Sequence, residues 1–167
     1  SAVYSAEVKA GETVVIIGIG GVGINAVQGA AMAGAKRVVA IDPVEFKREQ
    51  AMAFGATHTF SSMAEAMEPL NELTWGRMAE KAIITVGRID GSMIGEMMPL
   101  IGKNGTAVVT GMGDMMNAEV TLSLFELSML QKRLQGSIFG GANPRVDIPK
   151  LLDLYREGRL KLELGTW

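Results

Sequence analysis

The apolar positions of the chain cluster in short runs, and the stretches between them carry helical spacing. TVVII (Thr13–Ile17) is a compact β-branched run, the composition of a strand buried on both faces. RVVAID, ending at Asp42, and THTF (Thr57–Phe60) predict the second and third strands. KAIITVG predicts a fourth strand, GTAVVTG (Gly105–Gly111) a fifth, and Leu134–Phe139 a sixth. Between the runs, helices are predicted at GINAVQGAAMAGA, ended by Gly34, and at Val44–Phe54, closed by Gly55. Ser62 and Glu65 make a capping-box pattern for the next helix, which Pro69 limits or kinks. Further helices are expected near Ser92–Ile101, Ser123–Gln131 and Asp147–Arg156. Strands alternating with helices imply an α/β chain of Rossmann type: a doubly wound parallel sheet of about six strands with helices on both faces. The 167 residues suit one domain, 1–167, with no internal linker or low-complexity stretch.

One segment competes with that pattern. Thr13 to Ala35 contains 23 residues without a charge, long enough to cross a bilayer. Its internal order argues for water instead. Gly18, Gly20, Gly21 and Gly23 fall within six residues, and each glycine in a helix interior costs about 1 kcal/mol relative to alanine. Four together fit a tight turn between a strand and a small-residue helix. Net charge, −2 with no long run of one sign, argues against a nucleic-acid or anionic-membrane surface. The absence of cysteine excludes disulfides and thiolate metal sites from this sequence, and the single His58 cannot supply a histidine cluster. A cytoplasmic setting fits this composition. The twelve methionines read as fillers of irregular core gaps.

The glycines read G-x-G-x-x-G at Gly18, Gly20 and Gly23. The first lets the chain turn sharply out of the strand, the second leaves the backbone open to a pyrophosphate, and the third lets the helix lie close to the strand. Backbone N–H groups at the helix start then face the phosphates. Asp42 lies 19 positions past Gly23 at the end of the second strand, where a ribose-binding carboxylate belongs. A carboxylate there accepts from both ribose hydroxyls and repels a 2′-phosphate, which favours NAD over NADP. The competing role for Asp42 is a helix cap or turn residue before Pro43. In a doubly wound sheet the ligand lies at the C-terminal strand ends. That rule nominates the loops Gly18–Gly23, Asp42, Thr85–Arg88, Thr110–Gly113 and Ser137–Phe139. Lys47 and Arg48, one helical turn past Asp42, are either ribose or phosphate contacts or a solvated helix face. Arg88, just after Gly87, is a better anion contact. His58 reads as a strand or surface residue, and Trp75 and Trp167 have no evident chemical role.

From Gly18 onward the segment GIGGVGINAVQGAAMAGAKRVVAIDPVEFKREQAMAFGATH, followed by VGRID, GTAVVTGMG and GSIFGGANPRVDIPKLLDLYREGRLKL, resembles the coenzyme-binding domain of zinc-type medium-chain alcohol dehydrogenases over nearly the whole chain. Within that family it is most similar to the nicotinoprotein branch, which depends on N,N-dimethyl-4-nitrosoaniline. The resemblance implies that Gly20, Gly21 and Val22 meet the pyrophosphate, Asp42 and Lys47 hold the adenosine ribose, and Arg88 contacts the coenzyme near its phosphates. Thr110, Met112, Ser137 and Phe139 would line the nicotinamide end. It also implies a homodimer joined through the sheet edge, with the segment near Ala118–Leu122 as the expected contact. The family's zinc is held by cysteine and histidine ligands together with a separate catalytic domain. This chain carries none of those cysteines, so the resemblance implies an excised coenzyme domain that binds NAD(H) without turning over alcohol, the zinc belonging to the rest of the parent. Two other readings stay open: a stand-alone NAD-sensing regulatory module, and the coenzyme domain of a zinc-free reductase of the same superfamily.

Overall fold

The computed structural model describes residues 2–113, 119–138 and 141–162. A short helix α1 (Ala2–Ser5) precedes strand β1 (Thr13–Ile17) and helix α2 (Gly21–Met32). β2 (Arg37–Ile41), α3 (Glu45–Ala53), β3 (His58–Phe60), α4 (Met63–Thr74) and β4 (Ala79–Ile84) follow. The second half contains β5 (Arg88–Ile89), α5 (Gly91–Met97), a 3₁₀ turn (Met98–Leu100), β6 (Ile101–Val109), β7 (Met112–Gly113), α6 (Leu124–Met129), β8 (Arg133–Gly136) and α7 (Pro144–Arg156). The main sheet has six parallel strands in the order β3-β2-β1-β4-β6-β8, the expected doubly wound arrangement.

β1 is buried at all five positions because both sides of the sheet are covered. Side chains alternate between the two faces. Val14 and Ile16 join Val38, Ala40, Ile83 and Val108 under α1, α2 and α3. Val15 and Ile17 join Val39, Ile41, Ala82 and Ile84 under α4, α5 and the 3₁₀ turn. The charge-free segment is therefore a strand followed by a 12-residue helix. Among the described residues no helix is long and apolar enough to cross a membrane.

Several boundaries differ from the sequence expectation, each for a local reason. The helix expected over Ser92–Ile101 stops at Met97. Pro99 sits in the 3₁₀ turn that follows, and Ile101 already pairs with Ala79. β6 consequently starts at Ile101 rather than Gly105, with a register shift and Asn104 in a left-handed conformation (φ 61°). β4 starts at Ala79, which pairs with Ile101, and ends at Ile84, the last residue paired with both β1 and β6. Pro69 lies inside α4 without ending it. The capping box is half formed: the Ser62 hydroxyl accepts from the Glu65 N–H, while the Glu65 carboxylate accepts from the N–H and O–H of Ser61. α7 begins at Pro144, three residues before the expected start, because the Asn143 side chain caps it by accepting from the Arg145 N–H. β8 is Arg133–Gly136, shorter than the Leu134–Phe139 expectation, and Phe139 lies outside the described residues.

Candidate functional site

The parallel register aligns the strand ends in one row. Ile17 is opposite Ile41 and Ile84, Ile84 is opposite Val109, and Val109 is opposite Gly136. The next residue of each strand is therefore Gly18, Asp42, Thr85, Thr110 or Ser137, and these stand side by side at the C-terminal edge. The backbone ladder extends one step into them. The N–H groups of Gly18, Thr85, Thr110 and Ser137 donate to the carbonyls of Ile41, Ile17, Ile84 and Val109 at 2.8–3.1 Å. Loops spread over 120 residues of sequence thus become one continuous rim.

The glycine turn behaves as its spacing requires. Gly18 has φ +85°, and a Cβ there would press on Val86. A Cβ on Gly23 would overlap the Gly18 carbonyl oxygen, so that position admits only hydrogen. Gly20 and Gly21 instead face open space. Gly20 caps α2 without any side-chain acceptor, leaving the first N–H groups of that helix aimed at the space beside it. Val22, on the first turn of α2, is exposed. Thr85 holds the turn from the neighbouring strand: its hydroxyl donates to the carbonyls of Ile17 and Gly18.

Asp42 is buried, and both carboxylate oxygens are engaged. Oδ2 accepts from the Ile19 N–H at 2.7 Å and Oδ1 from the Val44 N–H at 2.9 Å. The Lys47 ammonium lies 4.0 Å from Oδ2. The turn role weighed for Asp42 before Pro43 is thus present together with its position on the groove, although α3 itself is capped by Val44 with no side-chain bond. Arg48 points back to the chain, its guanidinium donating to the carbonyls of Asp42 and Pro43 at 2.8 and 2.9 Å. A groove of about 550 Å³ is lined by Gly18, Gly20, Asp42, Lys47, Met63 and Met93. That volume, a capless helix start and an unobstructed Gly20 fit a dinucleotide laid across the rim.

The nicotinamide end expected at Thr110, Met112, Ser137 and Phe139 is brought together in part. Arg88 and Met112 are register partners in the small β5–β7 sheet, so two distant expectations become neighbours. The Thr110 hydroxyl is already donated to the Ile84 carbonyl, and the Ser137 hydroxyl pairs with Ser5 of α1 at 2.9 Å. Ala118 and Trp167 lie outside the described residues. Glu119–Leu122 is not a strand in this chain, and its Glu119 carbonyl packs directly on Gly91 at the start of α5.

Sequence reading passed over Ser61, Ser62, Met63, Met93 and Glu96 as groove residues, although all five line it. Ser61 and Ser62 follow β3 directly, so the strand-end rule could have nominated them. Met93 and Glu96 carried no signal, because they come from a helix whose approach only the tertiary fold sets. Near the groove, hydrogen bonds from Ser61 hold the Glu65 carboxyl below its ordinary range, and bonds from Ser92 and the Met93 N–H do the same for Asp90. His58 lies away from the rim, at the start of β3, where burial and then the Arg37 charge lower its pKa. Among the described residues no group of three or more His, Cys, Asp or Glu side chains could hold a metal ion.

The sequence profile of the zinc-binding dehydrogenases matches residues 21–157, from the first residue of α2 through α7. The chain belongs to this family. Relatives in the zinc-binding dehydrogenase family include alcohol dehydrogenase B of Mycobacterium tuberculosis, 49% identical over 163 residues, and the NDMA-dependent alcohol dehydrogenase of Amycolatopsis methanolica, 50% identical over 163 residues. Both alignments cover 98% of this chain but 44% of the relative, so the chain spans less than half the length of these dehydrogenases. Among solved structures, a zinc-binding-domain alcohol dehydrogenase protein from Burkholderia ambifaria superposes with TM-score 0.87 at 26% identity, over 95% of this chain and 42% of that one. A zinc-binding dehydrogenase from Sinorhizobium meliloti bound to NADP superposes with TM-score 0.81 at 26% identity, over 97% of this chain and 46% of that one. The chain is thus the Rossmann-type coenzyme-binding part of a zinc-binding dehydrogenase, and the resemblance drawn from the glycine loop, VGRID and GTAVVTGMG is borne out.

Proposed function

We propose that this chain binds NAD(H) for an alcohol dehydrogenase, with Gly20, Gly21 and Val22 at the pyrophosphate, Asp42 and Lys47 at the adenosine ribose, and Arg88 near the phosphates. The observation that carries this reading is the meeting of the Gly20-capped start of α2 with the Asp42 carboxylate on one groove. Asp42 supports NAD over NADP, since its carboxylate would oppose a 2′-phosphate. The bound nicotinamide supplies the hydride acceptor in the parent enzyme. The residues of this chain bind and orient it, with Thr110, Met112, Ser137 and Phe139 at that end of the rim. Zinc does not fit the described residues. The family resemblance puts the metal, and the alcohol chemistry, on the rest of the parent polypeptide, so residues 1–167 would form the coenzyme domain alone. The exposed edge strand β8, which carries the exposed Leu134, supports a homodimer formed through the sheet edge.

Fluorescence titration tests the reading: NADH should bind with saturation and more tightly than NADPH. A wild-type preference for NADPH removes Asp42 from the ribose. Alcohol-dependent reduction of NAD by this chain alone would show that the catalytic groups are present after all. Sedimentation of the wild type and of Leu134→Lys tests the edge contact, and an unchanged association state in the variant rules it out.

A further inference from the structure

We infer that Asp42 is also the latch of the phosphate-binding turn, so that one carboxylate sets both the choice of ribose and the grip on the pyrophosphate. This rests on the dinucleotide reading for its ligand but on independent geometry for its mechanism. Gly18 turns the chain out of β1 with φ +85°, which ends the sheet ladder and swings the Ile19 N–H sideways toward β2. Ile19 is fully buried, so its N–H has no access to water. Its partner is the Asp42 Oδ2 at 2.7 Å, across 23 residues of sequence. The other oxygen is held by the Val44 N–H, and the Asp42 carbonyl by Arg48, which fixes the carboxylate from both sides. Ile19 lies between Gly18 and Gly20, so the bond pins the residue that places Gly20 at the groove.

A carboxylate has about four lone-pair directions, so both oxygens can keep their backbone N–H groups and still accept from the ribose hydroxyls. A neutral, shorter residue at position 42 would remove the repulsion of a 2′-phosphate. It would also leave the buried Ile19 N–H without an acceptor, which an interior tolerates poorly. Exchange of Asp42 therefore does not convert the site to NADPH. It loosens the turn that any dinucleotide needs. A residue acting on the ribose alone would lower the affinity for every adenosine ligand equally, whereas a latch adds a loss confined to ligands with a pyrophosphate.

The test compares wild type, Asp42→Ala and Asp42→Asn by amide hydrogen exchange without ligand, and by titration with NADH, NADPH and AMP. In Asp42→Ala the Ile19 amide should exchange about tenfold faster or more, with β1 unchanged. NADH and NADPH should both weaken, and NADH by a larger factor than AMP. Should the alanine variant not fold, Asp42→Asn serves, because its single oxygen can accept from only one of the two N–H groups, and faster exchange at Ile19 or Val44 supports the latch. Unchanged protection at Ile19 and Val44, or NADPH bound more tightly by Asp42→Ala than by wild type, overturns it. If wild type binds neither dinucleotide, the coenzyme reading fails, and the exchange data still decide the latch.

Discussion

The centre of the sheet at β1 and β2 and its edge at β8 have different surroundings. β1 and β2, with α2 packed on them, are sealed: nine of their ten strand positions are buried, and α2 buries Ile24, Ala26, Val27 and Ala30. β8 lies between the helices α6 and α7 in the chain, yet all four residues of β8 are exposed, and neither helix has a buried residue. Leu124, Phe125, Met129, Leu151 and Leu152 are exposed, the last two beside Val3 and Met32 of α1 and α2. The lesson is that hydrophobic periodicity states that a face must be covered without stating by what. In the first region the cover is the chain's own helices and sheet. In the second, apolar side chains of both helices stay exposed among the described residues.

The sharpest way to break the comparison is truncation of matched apolar residues. Ile16→Ala, at the centre of β1, should lower stability by about 2–5 kcal/mol in urea unfolding. A Gly20→Val exchange meets open space in the chain but would occupy the proposed pyrophosphate position, so NADH affinity should fall about a hundredfold or more, on the order of 2.7 kcal/mol, while stability shifts by less than about 1 kcal/mol. Unchanged affinity would move the phosphates elsewhere. Gly23→Ala should do both kinds of damage, since its Cβ has no room against the Gly18 carbonyl, and stability should drop by about 1–3 kcal/mol. In the second region Leu124→Ala, at a position of α6 that is 80% exposed, should change stability by no more than about 0.5 kcal/mol. A loss as large as that of Ile16→Ala would show the two regions to be equally sealed.

The smallest effect concerns pH. Burial and Arg37 lower the His58 pKa from its ordinary 6.5, so below that pH the unfolded chain binds the proton more readily. Stability should therefore fall as the pH drops through 6.5, and His58→Gln should flatten that part of the curve in thermal unfolding between pH 7.5 and 5.5. An identical slope in the variant would place the proton uptake on other groups.

Much of the site could be read in the chain because its signals are local. G-x-G-x-x-G needs only the stereochemistry of Gly18 and the close approach at Gly23, and both constraints lie within six residues. Asp42 could be located because the length of a βαβ unit fixes its distance from the turn. Met63, Met93 and Glu96 could not be located, because nothing near them in sequence records that α4 and α5 meet at the rim. The early end of α5 and the early start of β6 were hidden for a related reason. An apolar run around Met97–Ile101 suits helix or strand equally, and pairing of Ile101 with Ala79 decides between them.

Sequence alone determined the alternation of strand and helix, the glycine turn, the carboxylate at the end of β2, and the family to which these belong. Each follows from backbone sterics or from the spacing of a short segment. The tertiary structure alone decided that Asp42 holds the Ile19 N–H, that Thr85 anchors the Gly18 turn, and that Arg88 stands beside Met112. Those contacts join residues 23 to 67 positions apart. They exist because parallel pairing brings strand ends to a common level, and a register is a property of two chains of atoms packed together rather than of either segment.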